Sequence, residues 1–463
     1  MGSNRAIVII VVLVLISLTS LVLYEHSKGQ FVEYKCPDCN VIIIVVDAMR
    51  YDHIGYGGYA RDTTPNLDIL AQEGYFFTNT ISAAPWTKPS VVSLFTSQYP
   101  HVHGVTSTKK ALPKESLTLA RILSSKNYTT IGFTTNVNVD NKNNDFSKLY
   151  SFNQDPADKF SNKTIFILNS TKQPFLIYLH YIDPHMEYNP PAAHRIFEDK
   201  NYTGFFTKKP NPNAKIENRK EIILKEFVKG SLSEKDKQFM IALYDGEIHF
   251  SDEQIGVLFD YLKKSGKWNK TMIIVTSDHG EELFDHNAIE HGHTLYDELI
   301  HIPLIIRIPG VGSRIIQSQV CSIDLAPTIL DFLNISSPKS FQGDSLIPLI
   351  SGDEVPEKPC FSESMNGIDG RSIRFNGWKL IENPNSTGGT GSIQKPKVTE
   401  MYYIVDDPSE KKNLFQDKIQ VARSLTSTLD EWYHSNVTFR FNATNIYLSD
   451  DVIEQLKSLG YAV

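Results

Sequence analysis

Two aspartates stand at matching places in the chain: Asp47 closes the apolar run VIIIVVD, and Asp278 closes MIIVTSD. His279 follows Asp278 directly, in the run DHGEE. A carboxylate at a buried strand end stays charged only with a partner, and a lone one there is as often a helix cap or half of an ion pair. Two such ends, one with an adjoining imidazole, point to a shared divalent ion held by Asp47, Asp278 and His279. Of Mn2+, Zn2+, Mg2+ and Ca2+, this donor set suits Zn2+ or Mn2+ best. One ion is expected, with a second conceivable. Thr87, in APWTKPSVVSLFTSQYP, precedes Lys88, Pro89 and an apolar helical pattern. That spacing predicts a helix N-cap. A hydroxyl at such a point also faces free backbone N–H groups that favour an anion, and a bound cation would lower its pKa toward an alkoxide, so Thr87 is expected to be both metal ligand and nucleophile. Lys88 would add positive charge.

Histidines complete the set. FLIYLHYIDPHMEYNPP supplies His180, Asp183 and His185, and NAIEHGHTLYDE supplies His291 and His293. A single histidine is more often structural, but several of the 14 fall on strand-end loops beside the acids. His185 and His291 are expected to act directly on substrate. His180, Asp183 and His293 are expected to bind substrate or a second metal.

The elements that must position these groups are legible as an α/β alternation. Apolar, β-branched runs at Val41–Val46, Thr130–Thr134, Phe175–His180, Met272–Thr276 and Ile302–Ile308 alternate with helical patterns at Asn66–Gly74, Ser116–Ser125 and Glu234–Ser265. VIIIVV is apolar at every position, which predicts parallel strands covered by helices on both faces. Ligands of such sheets bind at the carboxyl ends of the strands, where Asp47 and Asp278 lie. From about Ser351 the pieces shorten to Ser372–Phe375, Trp378–Ile381 and Met401–Ile404, with a Gly/Ser/Thr-rich loop at Asn385–Ser392, a helix at Lys418–His434 and a closing helix at Asp450–Leu459. The expected organisation is a membrane anchor in residues 1–28, a catalytic α/β domain in 29–350 and a smaller α+β domain with its tail in 351–463.

At 463 residues the chain accommodates one large domain plus a smaller one, and 41% hydrophobic with 21% charged residues indicates a folded body. With 46 lysines and arginines against 53 acids, the net charge of −7 leaves no basic surplus for a phosphate backbone, which excludes nucleic acid as the main partner. Four cysteines are too few for a disulfide scaffold. Cys36 and Cys39, in KCPDC, read as a local disulfide, whereas Cys321 and Cys360 stand isolated. Ala6–Tyr24 is uncharged and nearly spans a bilayer core. It is longer than a usual signal core and no A-x-A-like site follows, so it reads as an uncleaved anchor. Arg5 before it, and Glu25, His26, Lys28 and Glu33 after it, place the body outside the membrane. N-x-S/T sequons at Asn127, Asn162, Asn169, Asn201, Asn269, Asn334, Asn385, Asn436 and Asn442 agree with an exported, glycosylated surface.

The ordered stretches NVIIIVVDAMRYDHIGYGGY, TTPNLDILAQEGYFFTN, PWTKPSVVSLFTSQYPHVHGV, LHYIDPHMEYNPP, LYDGEIHFSDEQIG, TSDHGEELFDHNAIEHGHTLYDELIHIPLIIRIPG and IDLAPTILDFLNI, and the tail LSDDVIEQLKSLGYAV, resemble the sulfatase family of the alkaline phosphatase superfamily. The resemblance implies a three-layer α/β/α sandwich around a large mixed sheet, followed by a smaller C-terminal sheet domain. It also exposes departures. Sulfatases carry C/S-x-P-S/A-R, whose Cys or Ser becomes formylglycine; here the run is Thr87-Lys88-Pro89-Ser90-Val91, with neither the modifiable residue nor the arginine. Ala48 replaces the second aspartate of the family's Asp-Asp pair. A threonine with Asp47, Asp278 and His279 is similar instead to phosphoethanolamine transferases, lipoteichoic acid synthases and nucleotide pyrophosphatase/phosphodiesterases. The expected function is therefore a membrane-anchored, extracytoplasmic, metal-dependent hydrolase or transferase acting on phosphoesters or phosphodiesters of lipids, glycans or nucleotides through Thr87. Two other readings stand beside it: a sulfuric ester hydrolase with an unmodified threonine, and a non-catalytic surface binding protein on the same fold.

Overall fold

The run Asn40–Val46 is buried at every position because it lies inside a sheet that meets side chains on both faces. Ile42, Ile44 and Val46 join Ile177, Leu179, Ile273 and Val275 in one apolar cluster with the long helix Glu234–Lys264 and the helices Pro65–Gln72 and Ala157–Asn169. Val41, Ile43 and Val45 point the other way and are equally buried. The helices Thr87–Thr96, Leu119–Ser125 and Leu325–Phe332 pack together as the third layer. The structure, a computed structural model, describes residues 34–152, 155–207, 219–364, 370–382, 398–435, 443–459 and 461. The expected anchor at Ala6–Tyr24, the loop Asn385–Ser392 and the sequons at Asn385, Asn436 and Asn442 lie outside the described residues. Among the described residues, no helix is long and apolar enough to cross a membrane.

Strand order across the large sheet is Arg314–Ile316, Tyr75–Ile81, His301–Arg307, Thr271–Thr276, Asn40–Val46, Phe175–Tyr181, Thr129–Thr134 and Lys148–Ser151, with Val320–Cys321 also paired to Tyr75–Ile81. Only His301–Arg307 runs against its neighbours. The segment between Thr276 and His301 holds two short strands and a four-residue helix and no long helix to carry the chain back across the sheet, and the chain re-enters the sheet from the same end. The large sheet is thus mixed, as the family resemblance implied; of the apolar runs read as parallel strands, Ile302–Ile308 is the one that lies antiparallel. The strand Tyr75–Ile81, whose YFFTNTI mixes apolar and polar residues, was not foreseen.

The smaller sheet is an antiparallel meander of Cys360–Ser364, Gly370–Phe375, Trp378–Glu382 and Thr399–Tyr403, covered by the helix Ile419–Ser435. Asn376 and Gly377 form its tight hairpin, with φ of 52° and 74°, the left-handed conformation that Asn-Gly supplies. Cys36 and Cys39 are bonded locally as expected. Cys321 and Cys360, isolated in sequence, are also bonded and tie the large sheet to the first strand of the small one. Their pairing escaped the sequence reading because the fold, not the spacing, brings them together.

Candidate functional site

The parallel register builds the site. Val45 pairs with His180 and with Thr276, and His180 pairs with Thr134, so four strands end at one level. The residues that follow converge there: Asp47, Asn136, Asp278 and His279. Ser277 Oγ donates to the Val46 carbonyl at 2.7 Å and accepts from the Met49 N–H at 3.0 Å, stitching two strand ends together. Tyr244, from the long helix, donates to the Ala48 carbonyl at 2.7 Å and holds the loop after Asp47. Ala48 has φ of 59°, and its N–H donates to Asp278 Oδ1 at 3.3 Å. A Cβ at Gly280 would lie 2.0 Å from the Glu298 carbonyl, which accounts for the glycine of the DHG turn.

Asp47 Oδ2 accepts from Asn136 Nδ2 at 2.6 Å and from His180 Nε2 at 3.0 Å, while Tyr178 OH lies 2.7 Å from His180 Nδ1. Asp47 Oδ1 and Asp278 Oδ2 are buried with no hydrogen-bond donor. Each lies 3.5 Å from His279 Nε2. His279 Nδ1 donates to the Gly280 carbonyl at 2.8 Å, so Nε2 presents its lone pair to the same point. The ligand atoms of Asp47, His180 and Asp278 lie within 4.8 Å of one another. Burial raises Asp47, but the hydrogen bond and charge of His180, with His185 and His279, outweigh it and hold its carboxyl well below the usual range. Burial and the neighbouring Asp47 charge push Asp278 up. Two buried carboxylates with free oxygens facing one imidazole lone pair fit a divalent cation, which would let both ionise.

Thr87 is the first residue of its helix; the flanking position is Trp86, and no side chain caps the helix. The N-cap expectation is thus corrected. The Thr87 hydroxyl, fully buried, faces the cluster instead: Oγ1 lies 3.3 Å from His279 Nε2, 3.4 Å from Asn136 Nδ2 and 3.3 Å from Tyr461 OH. Tyr461 OH also lies 3.3 Å from His291 Nε2, and His291 Nδ1 lies 3.3 Å from Glu281 Oε2. The His291 ring packs against those of His279 and His185, with centroids 4.3 and 4.8 Å apart. Burial, with the charges of His279 and His185, pushes His291 down and keeps it neutral. Burial likewise pushes His185 down to about 4. Its Nδ1 donates to the Met186 carbonyl at 2.8 Å, and its Nε2 has no partner.

Other expected groups lie elsewhere. Lys88 Nζ donates to the Thr108 carbonyl at 2.8 Å and sits 3.4 Å from Asp140, in a separate cavity lined also by Val137 and Lys142, so its charge is directed away from Thr87. Asp183 Oδ1 accepts from the Ala157 N–H at 2.9 Å, at the start of a helix. His293 pairs with Glu282 at 2.9 Å. Neither joins a second set of metal ligands with His180, which belongs to the first cluster. Asn136 and Tyr461 were not anticipated. Asn136 obeys the strand-end rule that found Asp47, two residues beyond Thr134, whereas nothing in the composition of the tail marks Tyr461.

The family described as Sulfatase matches residues 39–335, and the family described as N-sulphoglucosamine sulphohydrolase, C-terminal matches 285–435. The ulvan-active sulfatase of Formosa agariphila is 25% identical over 353 residues, 68% of this chain; this chain spans only 65% of that relative. A structure solved with its substrate D-glucosamine-2-N,6-O-disulfate has a TM-score of 0.70 at 22% identity, covering 88% of this chain and all of the other. The phosphonate monoester hydrolase of Agrobacterium radiobacter has a TM-score of 0.68 at 19% identity, covering 86% and 96%. With most of the large sheet and the converging strand ends inside the matched span, the chain belongs to the sulfatase family, the sulfatase-like hydrolases of the alkaline phosphatase superfamily.

Proposed function

We propose that the chain is a divalent-metal-dependent hydrolase or transferase of phosphoesters or phosphodiesters, with Thr87 as nucleophile and with its body anchored outside the membrane. The observation that carries this reading is the Thr87 hydroxyl, 3.3 Å from His279 Nε2 and Tyr461 OH, beside two buried carboxylates with free oxygens. Asp47, Asp278 and His279 would hold the cation, with His180 and Asn136 orienting Asp47. When bound, the cation supplies positive charge to the threonine oxygen and the ester oxygens. As Thr87 Oγ1 bonds to phosphorus, the bond from phosphorus to the leaving oxygen breaks. The hydroxyl proton has a path through Tyr461 OH to the neutral Nε2 of His291, which returns it to the leaving oxygen. Water or an alcohol then attacks phosphorus, the bond to Oγ1 breaks, and the proton retraces the path to Thr87.

Phosphorus is preferred over sulfur because Thr87 cannot become formylglycine and Val91, buried, takes the place of the motif arginine. The phosphonate monoester hydrolase among the structural neighbours is in keeping with this. Sulfate esters remain the second reading, supported by the family match and by the glycan-directed sulfatase among the relatives. The test is a panel of chromogenic phosphate monoester, phosphate diester and sulfate ester on the full-length protein, with each of Mn2+, Zn2+, Mg2+ and Ca2+ restored after chelation. Metal-dependent turnover of a phosphoester is expected; turnover of sulfate alone would overturn the preferred reading.

A further inference from the structure

Thr87, Asp47 and His279 are fully buried, so no ester reaches them in this conformation. One side of the closed site comes from a distant segment. Tyr461 OH lies 3.3 Å from Thr87 Oγ1 and 3.3 Å from His291 Nε2. A phosphorus attacked by Thr87 must come within about 3–3.5 Å of the same oxygen, the distance at which the phenol now stands. Tyr461 follows the helix Asp450–Ser458, and its N–H donates to the Leu456 carbonyl at 2.9 Å.

This segment is lightly held. Asp450, Asp451, Glu454, Lys457 and Ser458 are exposed, and the buried residues of the helix and its end are Leu456, Leu459 and Tyr461. These three pack on Trp86 and Ile182. Lys220 Nζ donates to the Leu459 carbonyl at 2.9 Å, and upstream the two-residue strand Thr444–Asn445 pairs with Lys110–Ala111. An element with so few buried apolar side chains opens at lower cost than a sheet covered on both faces. The segment is also a wall of two cavities. One, about 550 Å3, is lined by Ser458 and Leu459 together with His185; the other, about 320 Å3, is lined by Val452 and Leu456 together with Lys88 and Asn138. His185 packs against His291, and Lys88 adjoins Thr87 in the chain, so both cavities border the covered site.

We propose that the helix Asp450–Ser458, with Leu459 and Tyr461, is a lid that leaves to admit the ester and returns over it. The proton path through Tyr461 to His291 exists only while the lid is seated, so closure and reaction are coupled. The lid covers the metal cluster as well as Thr87 and stands whether or not Thr87 is the nucleophile. Thiol labelling reads it without turnover. All four native cysteines are in disulfides, so in Thr87→Cys the new thiol alone is open to N-ethylmaleimide. After chelation, so that no cation competes for the thiol, it should react about a hundredfold or more slowly than the exposed reference Lys457→Cys. Adding Leu456→Ala or Leu459→Ala should speed labelling by about tenfold or more, because the rate follows the open population. Adding Leu425→Ala, likewise buried but in the helix over the small sheet, should leave it within about twofold. Labelling as fast as the reference, no acceleration by either lid variant, or equal acceleration by Leu425→Ala overturns the proposal. Where the variants fail to fold, hydrogen exchange in the parent decides: amides of Asp450–Ser458 should exchange about tenfold or more faster than those of Glu234–Lys264, and equal rates overturn the lid. The expected labelling pattern with no phosphoester turned over by the parent keeps the lid and defeats the Thr87 reading.

Discussion

Thr87 differs from an ordinary buried threonine in what its hydroxyl touches: an imidazole, an amide and a phenol, and no backbone carbonyl among its hydrogen bonds. Because it does not cap its helix, Thr87→Val keeps the shape and removes only the oxygen. Turnover should fall by about a thousandfold or more, with the thermal midpoint almost unchanged; retained activity would remove the mechanism. Tyr461→Phe cuts the path to His291 but leaves the nucleophile, so kcat should fall while the metal content holds. Asp278→Asn should lower bound metal sharply, and unchanged metal in both Asp47→Ala and Asp278→Ala would misplace the site. At this scale the sequence was readable where a residue sits on a strand end or a motif, as Asp47, Asp278 and His279 do. It was not readable where the partner comes from a distant segment. Tyr461 reaches Thr87 across 374 positions, and no local pattern encodes that approach.

Helix and strand boundaries were legible wherever periodicity and burial agree. The pattern over Glu234–Ser265 ends within one residue of the observed helix, which starts with a capping box of Ser233 and Asp236. Strand direction was less legible, since a run that is apolar throughout reads the same in a parallel or an antiparallel neighbour; His301–Arg307 is the case in point. Between the sheets, Lys379, fully buried, bridges Asp297 at 2.7 Å and Glu410 at 2.8 Å, and Arg374 reaches Asp297 at 3.1 Å. Lys379→Met leaves the buried Glu410 carboxyl without its ion-pair partner and Asp297 with Arg374 alone, and should destabilise the fold by about 3–5 kcal/mol in denaturant titration. Burial raises Asp297, but Arg374 and Lys379 outweigh it and depress its pKa. Its contribution is therefore present above an unfolded value of about 4 and is lost as pH falls toward the depressed folded value. The acid limb of the stability profile should flatten in the variant. The Cys321–Cys360 bond, spanning 39 positions, should contribute about 2–4 kcal/mol, read from the paired alanine variant.

For the whole molecule, the structure bears on compartment without describing the anchor. All four cysteines are in disulfides, a state that persists in oxidising surroundings and not in a reducing cytosol. Of the sequons, Asn127, Asn162, Asn169, Asn201, Asn269 and Asn334 fall among the described residues, and all are exposed. Surface placement of every describable acceptor is what attached glycans require. We therefore propose that the body faces outward on an uncleaved anchor at Ala6–Tyr24. Protease added to intact cells should degrade the body and leave a small membrane-bound stub. Protection of the whole body would place it inside. Recovery of soluble protein beginning after Tyr24 would show a cleaved signal in place of the anchor, with the outward assignment kept.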